Sequence, residues 1–394
     1  MNAVVQVTLR EWRWIRRDFR QILLVVLAPL AFVTILSLGY SSKKVVGVPV
    51  LIVDQDHSAL SRKLTQAIFA NESFAAAEYA DSSDEFATLV AQDRAHVCFV
   101  FPHNMERDML ARRGSKAVVM VDASNLLAAS LEASNAVSVL GTFALGAEMR
   151  MIEAKAGVTR ESAFNRALPI QTGFRSWFNP GFTANYFNFM VIGILSIPVQ
   201  LAGLLVGIGS GASEYKARRS DPLTLTTRSP WAILFGKLLA YLAIAYPVIL
   251  FVVCFPHLFF GAPMAGSLLT LALVTLWFTS VLVVFGYALS SLIADPLFAT
   301  EICAIITLPN FLLSGFTWPA FSMPIVVRIL AYALPMHSFN FMFRKISVMG
   351  ASAQDCLLEM GLLSLWTILA LVLARVATKN ILDALSRDEE SANA

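Results

Sequence analysis

The side chains in this sequence that could do chemistry are few and scattered. Its five histidines include no His-x-x-x-His spacing, and His57 beside Asp54 and Asp56 is better explained as a capped turn than as a metal site. Gly236 and Lys237 lack the glycine spacing and the Ser or Thr of a phosphate-binding loop. The sequence therefore predicts no catalytic residue, no bound metal and no bound cofactor.

The elements that would position any site are apolar stretches long enough to cross a bilayer, for which about 20 helical residues suffice. Six stretches reach this length, and only Lys237, Glu301 and Glu359 interrupt them with charge. With 57% hydrophobic and 14% charged residues, they predict a polytopic α-helical membrane protein with six transmembrane helices. The stretches are Ile22 to Tyr40, Phe187 to Gly209, Trp231 to Phe255, Ser267 to Ile293, Leu297 to Phe316 and Leu357 to Ala374.

The Lys and Arg residues predict the orientation, because basic residues beside a span remain on the cytoplasmic side. They are dense before the first span, in the loop after the second span and in the tail. Both termini are therefore expected in the cytoplasm. A retained first span is favoured over a cleaved signal peptide. In chain order we expect an interfacial amphipathic helix over residues 1–20, a first span over 21–40 and an extracytoplasmic α/β domain over 41–185. A transmembrane domain over 186–376, with a cytoplasmic loop at 211–230, and a cytoplasmic tail over 377–394 should follow.

The first 20 residues have a helical pattern of their own. Their apolar residues share one stripe, which predicts a helix lying in the cytoplasmic interface of the membrane. The alternative is a basic flank of the first span without a separate role. The stripe contains Val5, Leu9, Trp12, Ile15 and Phe19, and the basic residues beside it are Arg10, Arg13, Arg17 and Arg20.

Between residues 41 and 185, short apolar runs alternate with amphipathic helical patterns, which indicates an α/β domain. Ser58 is expected to cap one helix, and Ser82 with Glu85 fits a capping box for the next. A long helix is predicted from Leu126 to about Lys155. The predicted strands are Val48 to Val53, Phe74 to Ala80, His96 to Phe101 and Ala117 to Val121.

Several motifs, in their order and spacing, resemble one family. The most specific is LLSGFTWPAFSMPIVVRILAYALPMHSFNFMFRKISVMG, from Leu312 to Gly350; others are VPVLIVDQDHSALSR, VDASN at residues 121–125 and the Phe-Asn-Pro at residues 178–180. Together they resemble the permease subunit of type-2 ATP-binding-cassette (ABC) exporters. The similarity is to the bacterial multidrug or lipid efflux subgroup, which has a large extracytoplasmic domain between spans one and two.

This resemblance implies a transporter subunit of the bacterial inner membrane and not an enzyme. It would move a hydrophobic or amphipathic small molecule or lipid out of the cytoplasm or inner leaflet, and a separate ABC ATPase subunit would hydrolyse the ATP. Implied partners are that ATPase, the lipid bilayer and a second permease, either an identical copy or a paralogue. The resemblance leaves room for a periplasmic adaptor and an outer-membrane channel, and no nucleic-acid partner is expected.

The resemblance also implies two functional regions. One is an ATPase-coupling loop, in which Arg218 and Arg219 stand where the family has Gly and Thr, a departure compatible with a heterodimer. The other is a re-entrant region at the outer end of the translocation path, where prolines and a glycine break the helices. The loop residues are Glu214, Lys216, Arg218, Arg219, Asp221, Pro222, Leu223 and Leu225, and the outer residues are Leu313, Ser314, Gly315, Phe316, Pro319, Met323, Pro324 and Pro335.

Glu301 is expected about five residues, or ~8 Å, inside the fifth span. A charge at that depth is a candidate for function at a dimer seam or substrate path, and helix packing is an equal alternative. Two other classes of protein stay open: a polytopic membrane enzyme that modifies lipids, and a membrane-anchored ligand sensor. The enzyme requires acid, base or metal groups that converge, whereas His257, His337 and Glu359 are isolated in sequence.

Overall fold

The structure is a computed structural model that describes residues 2–17, 19–41, 45–111, 113–168, 185–217, 227–293, 295–316 and 318–393. The chain divides into two compact units. The first, here called the membrane unit, comprises Met1–Ser41 and Phe187–Ala394. The second, here called the sheet unit, is Ser42–Tyr186.

Helices and strands follow one another in an order that keeps the two units separate. The chain begins with α1 (Ala3–Arg17) and α2 (Phe19–Gly39). The sheet unit contains β1 (Val48–Asp54), α3 (Ala59–Phe69), β2 (Phe74–Tyr79), α4 (Glu85–Ala91), β3 (Val97–Phe101), α5 (Met105–Leu110), β4 (Val118–Val121), α6 (Leu126–Ala156) and α7 (Arg160–Ala167). The membrane unit then continues with α8 (Tyr186–Ile194), α9 (Ser196–Ala217), α10 (Pro230–Phe260), α11 (Leu268–Ile293), α12 (Pro296–Leu312), α13 (Ile325–Ala333), α14 (Pro335–Ser347) and α15 (Leu357–Asn393).

The apolar helices of the membrane unit confirm a polytopic membrane protein. Within the part of the chain that the structure describes, four helical segments are long and apolar enough to cross a bilayer, and the pair α13 and α14, bent by 80°, makes a fifth if it is counted as one span. The helices at the predicted first and fifth spans have shorter apolar parts, Val25–Gly39 and Leu297–Leu312. The four segments are Phe187–Ala212, Pro230–Phe260, Leu268–Ile293 and Ala353–Arg387.

Local sequence explains where the long helices begin and end. The side chain of Ser229 accepts a hydrogen bond from the backbone N–H of Ala232, and Pro230 occupies the first turn of α10. Gly261 ends the same helix in the left-handed conformation, with φ of 67°. Asp295 caps α12 in the way that Ser229 caps α10. The ends of these helices are thus encoded locally.

Glycines bring α9 and α11 close together. A Cβ atom on Gly286 would lie 2.5 Å from the carbonyl oxygen of Leu204, and one on Gly203 would lie 2.9 Å from Leu282 Cβ. Small residues at such crossings let helix backbones approach, which is how helices associate where lipid removes the hydrophobic driving force. The pair α9 and α11 forms the centre of the membrane unit, and its buried residues include Phe278 and Tyr287.

The sheet unit contains a four-stranded sheet in the order β2-β1-β3-β4. β1 is parallel to β2 and β3, whereas β4 is antiparallel to β3. Alternate residues of β1 face two cores: Val50 and Ile52 pack with α3 and α6, while Leu51 and Val53 pack with α4. A sheet covered on both faces explains why β1 is an unbroken apolar run.

The four predicted strands and the long helix are confirmed within two residues at each end. Ser58 forms a capping box with Ser61. The Ser58 side chain accepts a hydrogen bond from the Ser61 backbone N–H, and the Ser61 side chain accepts one from the Ser58 backbone N–H. The predicted box of Ser82 and Glu85 is wrong. α4 begins after Asp84, which makes no side-chain capping bond, and the Ser82 hydroxyl instead accepts from the Asp84 backbone N–H.

Candidate functional site

Part of the predicted coupling loop lies in the described chain and part lies outside it. Glu214 and Lys216 are in the last turn and a half of α9, which ends at Ala217. The side chain of Glu214 is buried. The other predicted residues, Arg218, Arg219, Asp221, Pro222, Leu223 and Leu225, lie outside the described residues.

Glu214 belongs to a buried group of four charged residues, here called the ion cluster: Arg10, Glu11, Glu214 and Lys237. Lys237 Nζ lies 2.6 Å from Glu214 Oε1 and 3.0 Å from Glu11 Oε1. Arg10 Nη1 lies 3.0 Å from Glu214 Oε1 and 2.9 Å from Glu11 Oε1. None of the four is more than 5% exposed. Two cations therefore alternate with two carboxylates, and the formal charges cancel.

Three helices supply the cluster, and close packing positions them. Gly236 lies where α1 crosses α10, since a Cβ atom there would stand 2.6 Å from Val7 Cβ. The hydroxyl of Thr8 donates to the carbonyl oxygen of Gly236 at 3.1 Å. Next to it, Lys237 Nζ donates to the carbonyl oxygen of Ser210 on α9 at 3.0 Å. The absent side chain at Gly236 thus brings α1 within reach of Lys237.

Burial and pairing act in opposite directions on the two carboxylates. Burial raises the pKa of Glu11 above its usual range, although Lys237 and Arg10 partly offset the effect. Burial also disfavours the charged form of Glu214, but the attraction of Lys237 and Arg10 outweighs it and lowers the pKa of that carboxyl. A charged group held away from water requires such partners. The cluster is therefore stable only while its pairing is complete.

Two further helices enclose this cluster. The Tyr287 ring of α11 lies 5.7 Å from Lys237 Nζ, and its hydroxyl lies 2.9 Å from the hydroxyl of Thr378 on α15. Further along α15, Leu385 packs with Val7 of α1 and Ile233 of α10. The residues predicted as a tail from 377 onwards thus continue α15 as far as Asn393 and partly cover α1.

The structure corrects the predicted role of Arg10. We expected it along the exposed flank of an interfacial helix, but its side chain is 1% exposed and points into the protein. Val5 and Leu9 of the predicted stripe are exposed, whereas Ile15 is buried. α1 therefore presents part of its apolar stripe outwards while its opposite side holds Arg10 and Glu11 against α9 and α10.

The predicted outer region begins with a turn that follows α12. Gly315 has φ of 80°, and a Cβ atom there would lie 2.6 Å from the Phe341 ring. Ser314 is fully buried, and the Phe316 ring stacks on Phe189 with their centroids 4.8 Å apart. Leu313 is the C-cap residue that follows α12. The Gly315 turn is thus tight, and a side chain there would meet both strain and a ring.

The remaining outer residues lie before or at the start of two short helices, α13 and α14, that meet at an angle. Pro319 precedes a single 3₁₀ turn (Ala320–Ser322), and Met323 follows it. Pro324 precedes α13, and Pro335 begins α14. The two helices are bent by 80°. His337 of α14 reaches back to the turn, with its Nδ1 atom 3.4 Å from the carbonyl oxygen of Leu313. The start of α14 thus lies against the turn that follows α12.

Glu301 is exposed on α12, within an exposed apolar face that includes Leu297, Phe298 and Ile305. A carboxylate on such a face needs a polar neighbour when the helix is in a membrane. Its role at a seam or substrate path stays a prediction.

Sequence reasoning missed three of the four residues of the ion cluster. The helical pattern places Arg10 on a basic flank, Lys237 reads only as a charge that interrupts an apolar span, and no motif indicates Glu11. One signal was available. A lysine in an otherwise apolar span must have an acidic partner, because an unpaired charge there is costly.

The fold and this site together define an integral membrane protein in which the buried ion cluster joins three helices. No group of three or more His, Cys, Asp or Glu side chains suited to a metal occurs among the residues that the structure describes. A family model for the ABC-2 family transporter proteins matches residues 19–376. The chain belongs to this family, so it is a membrane subunit of an ABC transporter and not an enzyme. Membership implies a partner ATPase.

Curated relatives agree with this assignment. The chain is 23% identical over 368 residues to the probable multidrug ABC transporter permease YbhR of Escherichia coli K12, which covers 92% of this chain and 95% of the relative. It is 26% identical over 177 residues to the probable multidrug ABC transporter permease YbhS of the same strain, covering 45% of this chain and 46% of the relative.

Proposed function

We propose that the protein is the permease subunit of an exporter that moves hydrophobic or amphipathic small molecules or lipids out of the cytoplasm or inner leaflet. ATP is hydrolysed by a separate ABC ATPase subunit. One observation carries the proposal: the family match extends from the first apolar helix to the last, over residues 19–376. The names of the two Escherichia coli permeases support multidrug cargo.

The composition of the spans supports an apolar or amphipathic cargo. α10 carries a run of aromatic rings, in which Phe255 lies 5.8 Å from Phe251 and 4.8 Å from Phe259 between ring centroids. Ligand sites for apolar compounds are lined mainly by such rings with few polar groups. Charged cargo would require intramembrane charges along its path, and the sequence has few of them in its apolar stretches.

The proposed topology has six spans in a bacterial inner membrane. α2 and α12 would be the first and fifth spans, both termini would be cytoplasmic, and the sheet unit would be extracytoplasmic. The distribution of Lys and Arg supports this orientation. The Gly315 turn and α13 would then form the re-entrant region at the outer end of the path.

The proposed assembly contains two permeases and two ATPases. Residues 211–230 would contact the ATPase, and the exposed apolar face around Glu301 would meet a second permease or the cargo. The second permease would be an identical copy or a paralogue, and the departure of Arg218 and Arg219 from the family pattern is compatible with a paralogue. A periplasmic adaptor and an outer-membrane channel would complete the route out of the cell.

Purification of the tagged protein from its native membranes in mild detergent tests the proposal. We expect a soluble ATPase to co-purify and to give vanadate-sensitive ATP hydrolysis. Purified protein without any ATPase, together with product formed from a lipid donor, would instead favour a lipid-modifying enzyme.

Cysteine labelling tests the topology. In a chain whose four native cysteines are replaced, Thr88→Cys and Lys379→Cys each place one thiol at an exposed position of the sheet unit or of α15. A membrane-impermeant maleimide added to intact spheroplasts should label the first and not the second. The reverse pattern would refute the proposed orientation.

A further inference from the structure

We propose that Arg10, Glu11, Glu214 and Lys237 are positioning residues that join α1 to both helices flanking the connection between α9 and α10. Motion imposed on that connection by an ATPase would then be delivered to α1 as well as to the two spans. This inference rests on the proposed function, because it assumes that an ATPase acts on residues 211–230.

The first step of the argument is the closed pattern of contacts. Arg10 of α1 contacts Glu214 of α9, and Glu11 of α1 contacts Lys237 of α10. Lys237 and Glu214 contact each other, as do Arg10 and Glu11. Each helix is therefore bonded to both of the others, and no helix can leave without separating opposite charges.

The second step is burial. All four side chains are at most 5% exposed, so solvent does little to compensate a charge whose partner moves away. Removing one partner from a buried ion pair is strongly unfavourable, because it leaves the other charge uncompensated. In a solvated surface pair the same separation costs little. The three helices should therefore move as one body at this point.

The third step is the position of the cluster along the chain. Glu214 lies three residues before the end of α9, and Lys237 lies within the first three turns of α10. The residues between these helices, 218–229, thus connect two members of the cluster directly. The partners of these two members are adjacent residues of α1, a helix distant in sequence.

The fourth step is a second set of contacts that holds α1 on α10. Val7 packs over Gly236, and the hydroxyl of Thr8 donates to the Gly236 carbonyl oxygen. These contacts remain when charges of the cluster are neutralised. A variant that loses the ion contacts can therefore keep its fold while losing the rigid connection.

The experiment compares hydrogen exchange in the purified permease–ATPase complex before and after trapping with ATP and vanadate. The test variant is the double substitution Arg10→Gln and Glu11→Gln, which removes one charge of each sign, both from α1, and leaves the pair Glu214 and Lys237 between α9 and α10. The matched control is Arg13→Gln, which removes one exposed charge from the same helix. Basal ATP hydrolysis verifies that each complex has assembled.

In the wild-type complex and in the control, trapping should change amide exchange in α1 together with the end of α9. We expect at least about fivefold, the factor given by ~1 kcal/mol of opening free energy. In the double variant the end of α9 should still respond, while the response of α1 falls below about twofold. A merely structural cluster would lower the yield of complex but leave the response of α1 intact in the molecules that assemble.

Two results would count against the inference in different ways. A response of α1 that persists in the double variant, or a wild-type response confined to α9, would overturn the inference and leave the proposed function standing. The absence of any nucleotide-dependent change in wild-type protein, with no ATPase bound, would overturn the proposed function and this inference with it.

Discussion

Replacing Lys237 by Met should destabilise the membrane unit more than any change at an exposed lysine. The substitution removes the cation that contacts Glu11 at 3.0 Å and Glu214 at 2.6 Å, so two buried carboxylates remain with Arg10. Loss of one partner from a buried ion pair costs about 3–5 kcal/mol. For a unit of roughly 250 residues, each kcal/mol shifts the unfolding temperature by about 2–4 °C. We therefore expect an apparent Tm lower by about 6–20 °C.

The assay is thermal unfolding of the purified protein in detergent at one fixed heating rate, because membrane proteins commonly unfold irreversibly. Lys379→Met, at an exposed position of α15, is the control and should shift the apparent Tm by less than about 2 °C. Adding Glu11→Gln to Lys237→Met should recover part of the loss, since the remaining charges balance. A shift for Lys237→Met no larger than that of the control would refute the electrostatic account of the cluster.

Four further substitutions test other parts of the structure. Gly236→Val should push α1 away from α10, cost about 1–3 kcal/mol through overpacking and so lower the apparent Tm. Gly361→Val, where the space is open, should lower the apparent Tm less. Gly315→Ala should cost at least about 1–2 kcal/mol, because it combines a left-handed φ with a Cβ atom 2.6 Å from Phe341; an unchanged Tm would show that the turn relaxes freely. Hydrogen bonds from Ser124 and contact with His96 lower the pKa of Asp122 below its usual 3.8. Asp122→Asn should therefore destabilise the sheet unit at neutral pH, and the difference in stability from wild type should vanish as the pH falls through the lowered pKa. A stability difference independent of pH would contradict this reasoning. Glu301→Gln should reduce export with assembly intact, as measured by cargo efflux and size-exclusion chromatography, and unchanged efflux would assign Glu301 to helix packing.

Local signals in the sequence predicted most of the regular structure. The apolar run at Val48 to Val53 predicted β1, Ser58 predicted the start of α3, and the uncharged stretch from Ser267 to Ile293 predicted α11. Each depends on residues that are neighbours in sequence, through helix capping or through the apolar pattern of a buried element. These predictions therefore needed no knowledge of the tertiary structure.

Local sequence signals could not predict the ion cluster, because it joins helices that are distant in sequence. Arg10 and Glu214 are 204 residues apart, and a basic residue before a first span is ordinarily explained by topology. The burial of Arg10 follows from the close crossing at Gly236, which only tertiary packing shows. For the same reason the sequence did not predict that α15 would pack against α1.

ATP-driven uptake of Nile red, a neutral lipophilic dye, into inside-out membrane vesicles tests the central claim most directly: the chain is a conduit powered by a separate ATPase. Vesicles that contain the permease with its ATPase should accumulate the dye when ATP is added. Vesicles with either subunit alone, or with an ATPase whose phosphate-loop lysine is replaced, should not. ATP hydrolysis by the chain alone, or uptake that persists without the ATPase, would contradict the account.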